Sequence, residues 1–435
     1  MHILLVQPRV SAEPAYPLAL AGMIPFLEDA GHTVTGVDLC FEPVSRITEL
    51  VQSGAVDWVG ATVLHHNSES VLNWMWPIRN IRSVQTFVAG ALPTLDPMGA
   101  LARTGANFAI IGPPEHTVTE LINAPKNQPV ANVAQEGQSA PELRPTPRFE
   151  QMPSPDRRVF PVEQYSHAMR STALPYTQVV TSRGCDLHCG YCPVPKMRPE
   201  GFDPRSADAI VREWTQLIAE HGIRSIHVED DNFLCDRERV IALCQKLIQA
   251  NSPVMWELVN GIRPDQVDDD LLAVMATAGC NRIVFSFEHL QTHHKPAIGY
   301  TLSQAEAAVA GARSAGMRVG GYFIVGLPGE SLSSTLMSIR YALTLGLDDA
   351  NWVPFYESPG SGFYGCASTV DATALPRQQA VRLTKAATVM FFANPRTFGR
   401  LGSEMVATPA TLPSLAEKAV ELLRAGGPVP LRDSP

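Results

Sequence analysis

The sequence is short of several features that would assign it to a common class of protein. Basic residues are too few for a positive surface, because 34 Lys and Arg stand against 43 Asp and Glu, a net charge of -9. No apolar run reaches the roughly 18 residues that cross a membrane. The first residues, MHILLVQPRV, lack the basic and long apolar regions of a signal peptide and predict a strand. We therefore expect a cytoplasmic protein whose partner is a small-molecule substrate, not nucleic acid or a membrane.

Cysteine is also sparse and unevenly placed. The 435 residues include eight cysteines, of which three fall within eight positions. A disulfide scaffold would be shorter and richer in cysteine, so we expect a reduced protein with one metal cluster. The five scattered cysteines are Cys40, Cys235, Cys244, Cys280 and Cys366, and we expect the first four to be core or surface residues.

Residues 1–125 alternate short apolar runs with amphipathic stretches such as Leu18–Glu28 and Ser68–Ile81. Strands that alternate with helices indicate a parallel sheet covered on both faces, and five such units predict a doubly wound domain. A ligand of such a domain binds at the carboxyl ends of its strands. The five predicted strands are Ile3–Val6, Thr33–Leu39, Trp58–Leu64, Gln85–Ala89 and Phe108–Ile111.

Three further regions follow along the chain. Residues 126–160 are rich in Pro, Gln, Ser and Asn without periodicity, which predicts a linker. Residues 161–358 contain six more strand and helix repeats, which predict a barrel or partial barrel with its chemistry at the carboxyl ends of the strands. Residues 359–435 predict a short helical extension, with helices at Arg377–Phe392 and Leu412–Arg424. The barrel strands are predicted at Thr177–Thr181, Ser225–Glu229, Met255–Val259, Arg282–Phe287, Val319–Val325 and Asp349–Phe355.

The segment TSRGCDLHCGYCPVP carries the clearest chemical pattern. Cys185, Cys189 and Cys192 follow the first barrel strand with the spacing C-x3-C-x2-C. Three thiolates on one short loop can hold three irons of a 4Fe–4S cluster and leave the fourth iron open to a substrate or cofactor. A zinc site is the alternative, and it usually takes four ligands in paired C-x2-C units or with histidine. His188 lies in the loop but no second C-x2-C pair exists, so the spacing favours a cluster.

This segment resembles the motif of the radical S-adenosylmethionine (SAM) superfamily, including the aromatic Tyr191 before the last cysteine. The resemblance implies a partial (β/α)6 barrel in which SAM binds the open iron through its amino and carboxylate groups. In that family an electron from the cluster cleaves SAM to a 5′-deoxyadenosyl radical, which abstracts hydrogen from the substrate. An electron donor such as a flavodoxin or ferredoxin is also implied.

The resemblance extends to the ends of the later barrel strands. HVEDDNF ends the second strand, where the family holds the methionyl amine of SAM, and NGIR ends the third. FSFEHL ends the fourth, and GGYFIVGLPGES resembles the segment that packs on adenine, where glycine permits close backbone approach. Taken singly, each motif could also be a helix cap, a solvated strand end or a turn. The cofactor-binding residues that the resemblance implies are Tyr191, Glu229, Asp230, Asp231, Arg263, Ser286 and Gly326.

Two residues are candidates for a catalytic role. Glu288, within FSFEHL, is expected beside the open iron or the methionyl group, where its carboxylate could contact SAM or ligate iron. Cys366 follows the sixth-strand loop and could be a hydrogen donor or a substrate contact, although cysteine in such a place is more often an inert apolar residue.

The first domain resembles the cobalamin-binding domains that are fused to many radical SAM proteins. MHILLVQPRV, VDWVGATVLHHNSES and FVAGALPT carry this resemblance. It implies a corrinoid on the carboxyl end of the sheet, with its nucleotide tail between the third and fourth strand loops. The D-x-H-x-x-G motif is absent and the first loop, Gln7–Tyr16, contains no histidine, so no histidine of this chain is expected as a cobalt ligand. The fifth loop reads IGPPEH where the family commonly has R-G-E-G-E, which alters the rim of the site. The residues implied at this site are Thr62, Leu64, Gly90, Ala91 and Thr94.

These patterns predict a radical SAM enzyme, most simply a cobalamin-dependent C-methyltransferase acting on a small metabolite or natural-product intermediate. The alternative is a radical dehydratase or rearrangement enzyme, for example on a sugar diol, whose first domain binds no cobalamin. An iron–sulfur electron carrier or sensor is a third class, and the barrel motifs argue against it because a carrier needs no SAM site.

Overall fold

A computed structural model of the chain shows an α/β protein. Two compact units are present, one formed by Met1–Tyr165 with Lys196–Glu200 and the other by Ser166–Pro195 with Gly201–Pro435. Cys366 and the predicted helix over 412–424 lie outside the described residues. The structure describes residues 1–9, 14–81, 83–125, 128–138, 141–165, 173–288, 300–364, 375–397 and 399.

The first unit is built on a six-stranded sheet of order β2-β1-β3-β4-β5-β6. The first five strands are parallel, which confirms the predicted doubly wound sheet, and β6 pairs antiparallel to β5. Because β1 lies between β2 and β3, the carboxyl ends of β1 and β3 form the switch point at which such sheets bind ligands. The strands are β1 (His2–Gln7), β2 (Thr33–Asp38), β3 (Trp58–Thr62), β4 (Gln85–Ala89), β5 (Phe108–Ile110) and β6 (Val133–Gln135).

Helices cover both faces of this sheet and enclose a core of aliphatic side chains. Leu4, Val59 and Val88 are fully buried on neighbouring strands, as expected for parallel strands covered on both faces. The helices are α1 (Leu18–Asp29), α2 (Ser45–Gln52), α3 (Ser68–Arg79), α4 (Ala91–Leu95), α5 (Pro97–Thr104) and α6 (Pro114–Asn123).

The segment expected as a linker packs within the first unit. It supplies β6, and after it Tyr165 donates a hydrogen bond of 2.7 Å to the buried carboxylate of Asp38. The guanidinium of Arg157 lies 4.2 Å from the ring centroid of Tyr16. Polar and proline-rich composition therefore coexists here with specific packing, since a few aromatic and charged residues provide the contacts.

The second unit is built on six parallel strands arranged in the order in which they occur in the chain. This order is that of a partial barrel, and it confirms the predicted fold class. The rings of Phe287, Phe323 and Trp352 stack across three neighbouring strands, with centroids 5.3 and 4.1 Å apart. The strands are β7 (Tyr176–Val179), β10 (Ser225–Val228), β11 (Met255–Ile262), β12 (Cys280–Glu288), β13 (Arg318–Val325) and β14 (Asp349–Pro354), with a separate antiparallel pair, β8 (Ser182–Arg183) and β9 (Asp203–Pro204).

The barrel helices begin where polar caps predict them. Ser206, Asp236 and Asp268 each accept a hydrogen bond from the backbone N–H three residues later, which satisfies a free donor of the first turn. Among the described helices, none has the length and apolar character of a membrane span. The helices are α7 (Val194–Met197), α8 (Ala207–His221), α9 (Arg237–Gln249), α10 (Asp269–Thr277), α11 (Leu302–Ser314), α12 (Leu332–Ala342) and α13 (Arg377–Ala393).

Candidate active site at the cysteine loop

The loop that carries the three cysteines starts at a position that only glycine can occupy. Gly184 has φ of 79°, and a Cβ added there would lie 2.0 Å from the carbonyl oxygen of Gly201. The N–H of Gly184 donates a hydrogen bond of 2.8 Å to Asp231. The loop therefore leaves β8 in a defined direction, along the carboxyl ends of the barrel strands.

The three thiols are partly buried and lie close enough to affect one another. Burial, and after it the nearby Glu288, Cys192 and Cys185, raise the pKa of Cys189 to about 12. Burial also raises the pKa of Cys192. Among the described residues, no three His, Cys, Asp or Glu side chains already converge as a metal-ligand set. The donor chemistry suits three irons of a cluster, and the sulfurs would turn to a common point when they bind it.

The sulfur of Cys185 receives several hydrogen bonds. Leu187 N–H lies 3.4 Å from it and the Asn232 side-chain amide lies 3.6 Å from it. Hydrogen bonding by the Cys235 thiol is the largest cause of the lowered pKa of Cys185. The sequence analysis missed both Asn232 and Cys235, because neither belongs to a spacing motif. HVEDDNFLC places them on the loop after β10, and the parallel order of β7 and β10 brings that loop to the cysteines.

Glu288 ends β12 in a strained backbone conformation. Its φ is 53°, in the left-handed region that costs a non-glycine residue about 1–3 kcal/mol. The register between β12 and β13 shifts between Ser286 and Glu288. Such a bulge re-aims the side chain at the end of a strand, and it often occurs beside active sites.

The carboxyl group of Glu288 is buried beside the cysteine loop and only partly satisfied. The residue is 4% exposed, and burial raises its pKa well above the usual value. Tyr191 donates a hydrogen bond to Oε1, and Ser286 Oγ lies 3.5 Å from the same atom. Oε2 is buried and has no hydrogen-bond partner among the described residues. A buried carboxylate oxygen without a partner costs free energy, so its position favours a ligand at this point.

Other predicted residues surround the same point. The positive charge of Arg263 opposes part of the rise that burial causes in the pKa of Cys189, and its guanidinium is held by Asp265 through bonds of 2.8 and 2.6 Å. Tyr300, which the sequence analysis did not single out, donates to the carbonyl oxygens of Ser286 and Phe287 at 3.2 and 3.0 Å. The structure thus brings Tyr191, Ser286, Glu288 and Arg263 into one neighbourhood with the cysteine loop.

The three acidic residues after β10 have different surroundings. Asp230 is 2% exposed and accepts bonds of 2.5 Å from Thr181 N–H, Thr181 Oγ1 and Ser182 Oγ. Its carboxylate therefore fixes the start of the cysteine loop, which leaves little of it for a methionyl ammonium. Glu229 accepts a bond of 2.7 Å from Gln178, and the exposed Asp231 holds the Gly184 N–H.

Gly326 lies in a turn that a second buried acid maintains. Its φ is 91°, and its N–H donates a bond of 2.5 Å to Glu330, which also accepts from Leu327 N–H at 3.0 Å. Glu330 is 3% exposed. The sequence analysis included Glu330 in GGYFIVGLPGES without assigning it a role, and the spacing from Gly326 was the available signal. The backbone at Gly326 is thus rigid and lacks a side chain, as a close ligand contact requires.

The segment after β14 packs against the cysteine loop. Phe363 N–H donates a bond of 3.1 Å to the carbonyl oxygen of Gly190, which stands between Cys189 and Cys192. A Cβ added to Gly190 would lie 2.9 Å from the ring of Phe363. This contact connects the end of the sixth strand to the peptide between two of the cysteines.

The candidate corrinoid site in the first unit has hydroxyl groups that already have partners. Thr62 Oγ1 donates to Gln7 Oε1 at 3.0 Å, across the switch point between β3 and β1. Thr94 Oγ1 donates to the Gly90 carbonyl at 2.7 Å and accepts from Gly112 N–H at 3.0 Å. Gly90 has φ of 110°, and an added Cβ would lie 3.0 Å from the Val63 carbonyl oxygen. These hydrogen bonds and the turn at Gly90 fix the course of the backbone at this edge of the sheet.

Leu64, Ala91 and Leu92 add small or apolar side chains to this edge, and the imidazole of His65 lies beside them. Ala91 is the first residue of α4. The side chain of Leu92 points into the core and is 2% exposed, so it does not occupy the surface beside the loop that follows β4. Leu64 is 37% exposed. His65 contacts Arg103 at 3.0 Å between Nε2 and Nη1, and its pKa is lowered by burial and then by Arg103. A surface of this kind suits contact with a large, flat and mainly apolar ligand.

Comparison with known proteins connects the cysteine-bearing unit to a family. Residues 179–342 match the Radical SAM superfamily. Cytidylyl-2-hydroxyethylphosphonate methyltransferase of Streptomyces wedmorensis is 30% identical over 238 residues, which are 51% of this chain and 44% of that protein. The chain thus spans less than half of that relative. An uncharacterized methyltransferase of Pyrococcus horikoshii is 24% identical over 382 residues, 83% of this chain and 82% of the relative.

A solved structure shows the same overall fold. The radical S-adenosylmethionine methyltransferase TsrM from Kitasatospora setae, solved with cobalamin and a [4Fe-4S] cluster bound, has a TM-score of 0.67 and 19% identity. The match covers 83% of this chain and 74% of that one. The cysteine loop, the six parallel strands and the family match agree with one another. Residues 179–342 of the chain thus match the radical SAM superfamily, and the cysteine loop lies within the matched residues.

Proposed function

We propose that this protein is a cobalamin-dependent radical SAM methyltransferase that acts on a carbon of a small molecule. The radical part of the proposal rests on one observation, the buried and incompletely bonded carboxyl of Glu288 beside the cysteine loop. The methyl-transfer part is supported by the two methyltransferase relatives and by a first unit with a ligand-binding sheet topology.

Each group at the barrel mouth has a proposed task. Cys185, Cys189 and Cys192 would hold the cluster, and Glu288 would bind either SAM or the open iron through Oε2. Tyr191 would keep Oε1 in place, since its hydroxyl already donates to that atom. Asp230 would fix the start of the cysteine loop through its hydrogen bonds from Thr181 and Ser182. Gly326 would leave room for the adenine.

When bound, the cluster and SAM supply the 5′-deoxyadenosyl radical, and cobalamin supplies the methyl group. The protein's own contribution is to orient these groups and keep water away. Leu64, Gly90 and Ala91 would contact the corrinoid, and Thr62 and Thr94 would border its nucleotide tail. No histidine of this chain would ligate cobalt, since the D-x-H-x-x-G motif is absent and His65 contacts Arg103.

The proposed chemistry also implies a cellular compartment, an electron donor and a class of substrate. All seven cysteines in the described part of the chain are free of disulfides, which agrees with a reducing compartment. We propose a cytoplasmic location and an electron donor such as a flavodoxin or ferredoxin. With a net charge of -9, a neutral or cationic small-molecule substrate is the natural partner.

The test of the radical part is reductive cleavage of SAM by the anaerobically reconstituted protein. Replacing Glu288 by Ala, or by the isosteric Gln, should reduce 5′-deoxyadenosine formation about 10–100-fold, because the carboxylate that holds the cofactor is lost. Iron and sulfide content should stay normal. The exposed Glu238, replaced by Ala in the same way, is the matched control and should cleave SAM at the wild-type rate.

Normal 5′-deoxyadenosine formation by both Glu288 variants would show that this residue has no part in cofactor binding. Cleavage in the wild type without any retained corrinoid would instead favour the dehydratase or rearrangement class.

A further inference from the structure

Asn232 places a buried amide against one of the cysteine sulfurs. The residue is 4% exposed, and its Nδ2 lies 3.6 Å from Cys185 Sγ, within hydrogen-bond distance for a sulfur acceptor. It follows the acidic residues at the end of β10 and precedes the short turn Phe233–Cys235. It lies within HVEDDNF but outside the spacing motif of the three cysteines.

The orientation of this amide is fixed by a second hydrogen bond. Asn232 Oδ1 accepts from Leu234 N–H at 3.3 Å and so caps the turn. With the oxygen used in this way, the NH2 end of the same planar group must point in the opposite direction, which is toward Cys185. The backbone N–H of Leu187 reaches the same sulfur at 3.4 Å. Cys185 thus receives two N–H donors from two different segments.

We infer that Asn232 is a positioning residue that donates an N–H···S hydrogen bond to Cys185 and raises the reduction potential of the cluster. The inference rests on the proposed cluster at the three cysteines. A hydrogen bond withdraws charge from a thiolate, and hydrogen bonds to the sulfurs are among the factors that set cluster potentials. The bond is stronger when the acceptor carries negative charge, so it stabilises the reduced cluster more than the oxidised one.

Two substitutions separate this role from that of a turn cap. Asn232→Ser keeps an oxygen that can cap Leu234 but is too short to reach the sulfur. Asn232→Asp keeps the shape and the capping oxygen, and replaces the donor by a negative charge. A residue that only caps the turn would leave the potential unchanged in the Ser variant.

Asn260 offers a matched control on the neighbouring strand. Its Nδ2 donates to the backbone oxygen of Asp230 at 3.1 Å, and among the described residues it makes no hydrogen bond to a cysteine sulfur. Asn260→Ser removes an amide of the same kind from the same end of the barrel, so it should leave the cluster potential unchanged.

The experiment is a redox titration of the reconstituted full-length protein, followed by the electron paramagnetic resonance signal of the reduced cluster. We expect wild-type iron and sulfide in both Asn232 variants, a more negative midpoint potential in Asn232→Ser, and a larger shift in the same direction in Asn232→Asp. Resonance Raman should show that the iron–cysteine stretching bands of the wild type move in D2O, and that this shift becomes smaller in Asn232→Ser.

Unchanged potentials in both variants, or an equal shift in Asn260→Ser, would overturn the inference and leave the proposed function standing. If one variant loses its cluster, the other still decides the question, and loss in both would refute a role limited to tuning. A wild-type protein that binds no 4Fe–4S cluster would overturn the proposed function, and this inference with it.

Discussion

In each unit, the candidate site lies at the carboxyl ends of that unit's own parallel strands. The two sites are built from different kinds of side chain. In the second unit, charged groups are buried, and Glu288 combines a left-handed backbone with an oxygen that has no hydrogen-bond partner in the described part of the chain. In the first unit, Thr62 and Thr94 already have partners within the protein, and Leu64 and Ala91 add apolar or small side chains beside them. The candidate site of the first unit therefore depends on the shape of its surface. That of the second unit depends on buried polar atoms whose hydrogen-bonding capacity is not fully used among the described residues.

This difference predicts how the two sites respond to change. A site built on buried polar groups should lose its function when one polar side chain is replaced, because no other group at the site supplies the same charge or metal ligand. A site built on shape should tolerate loss of a hydroxyl but not the addition of bulk or charge. The following substitutions test this contrast, from the largest expected effect to the smallest.

Replacing the three motif cysteines by Ala should abolish cluster binding. Cys185, Cys189 and Cys192 are the only thiols with the spacing of a cluster loop, so no other set can replace them. The measurement is iron and sulfide content after anaerobic reconstitution. Cys235→Ala is the control, because this thiol contacts Cys185 but is not expected to bind iron, and it should retain a full cluster. Retention of a full cluster by the triple variant would refute the assignment.

Leu64→Arg should weaken cobalamin binding by about tenfold or more, which equals about 1.4 kcal/mol. A charged and longer side chain would enter the apolar surface on which the corrinoid is proposed to lie. Equilibrium dialysis with hydroxocobalamin measures the effect. Ile81→Arg is the matched control, since Ile81 is 36% exposed and follows α3, at the other end of the sheet. Equal affinity in the two variants would exclude Leu64 from the site.

Gly190→Ala should speed iron loss from the reconstituted protein to a chelator. The added methyl group would press on the ring of Phe363 and displace the peptide between two cysteines. Phe363→Ala should restore slow release when combined with it, with a coupling free energy of about 0.5–3 kcal/mol. Additive effects of the two substitutions would show that the ring does not hold the loop.

Tyr165→Phe should lower the free energy of unfolding of the first unit by about 1–3 kcal/mol without changing cluster content. The substitution leaves Oδ2 of the buried Asp38 without the tyrosine donor at 2.7 Å, while Oδ1 keeps its bond from the Cys40 N–H. Urea unfolding followed by tyrosine and tryptophan fluorescence measures the change. Tyr364→Phe, at a position that is 56% exposed, should have no measurable effect on stability.

The sequence predicted the fold well because the apolar runs are long and regular. All eleven predicted strands are present, and Gln85–Ala89 matches at both ends. It did not predict β6, because three residues flanked by polar turns carry too little periodicity. The same limit applies to α4 and α5, which form where Gly90 turns the chain and Asp96 caps the second helix.

The candidate site was predictable where a spacing motif marks it and not elsewhere. The cysteine loop and Glu288 follow from local patterns at strand ends. Asn232, Cys235 and Tyr300 do not, since their contacts depend on which loops the parallel order brings together. Asp230 illustrates the reverse case: its residue type suggested a ligand contact, whereas the tertiary structure uses its carboxylate to fix the loop.

The most direct test of the proposed chemistry is the metal content and absorbance spectrum of the protein purified anaerobically from cells grown with cobalamin. We predict about four iron atoms and about one cobalt atom per chain, with the absorbance of both a 4Fe–4S cluster and a corrinoid. Iron without cobalt would contradict the methyltransferase assignment and favour a dehydratase or rearrangement enzyme. Zinc in place of iron would contradict the radical SAM chemistry itself.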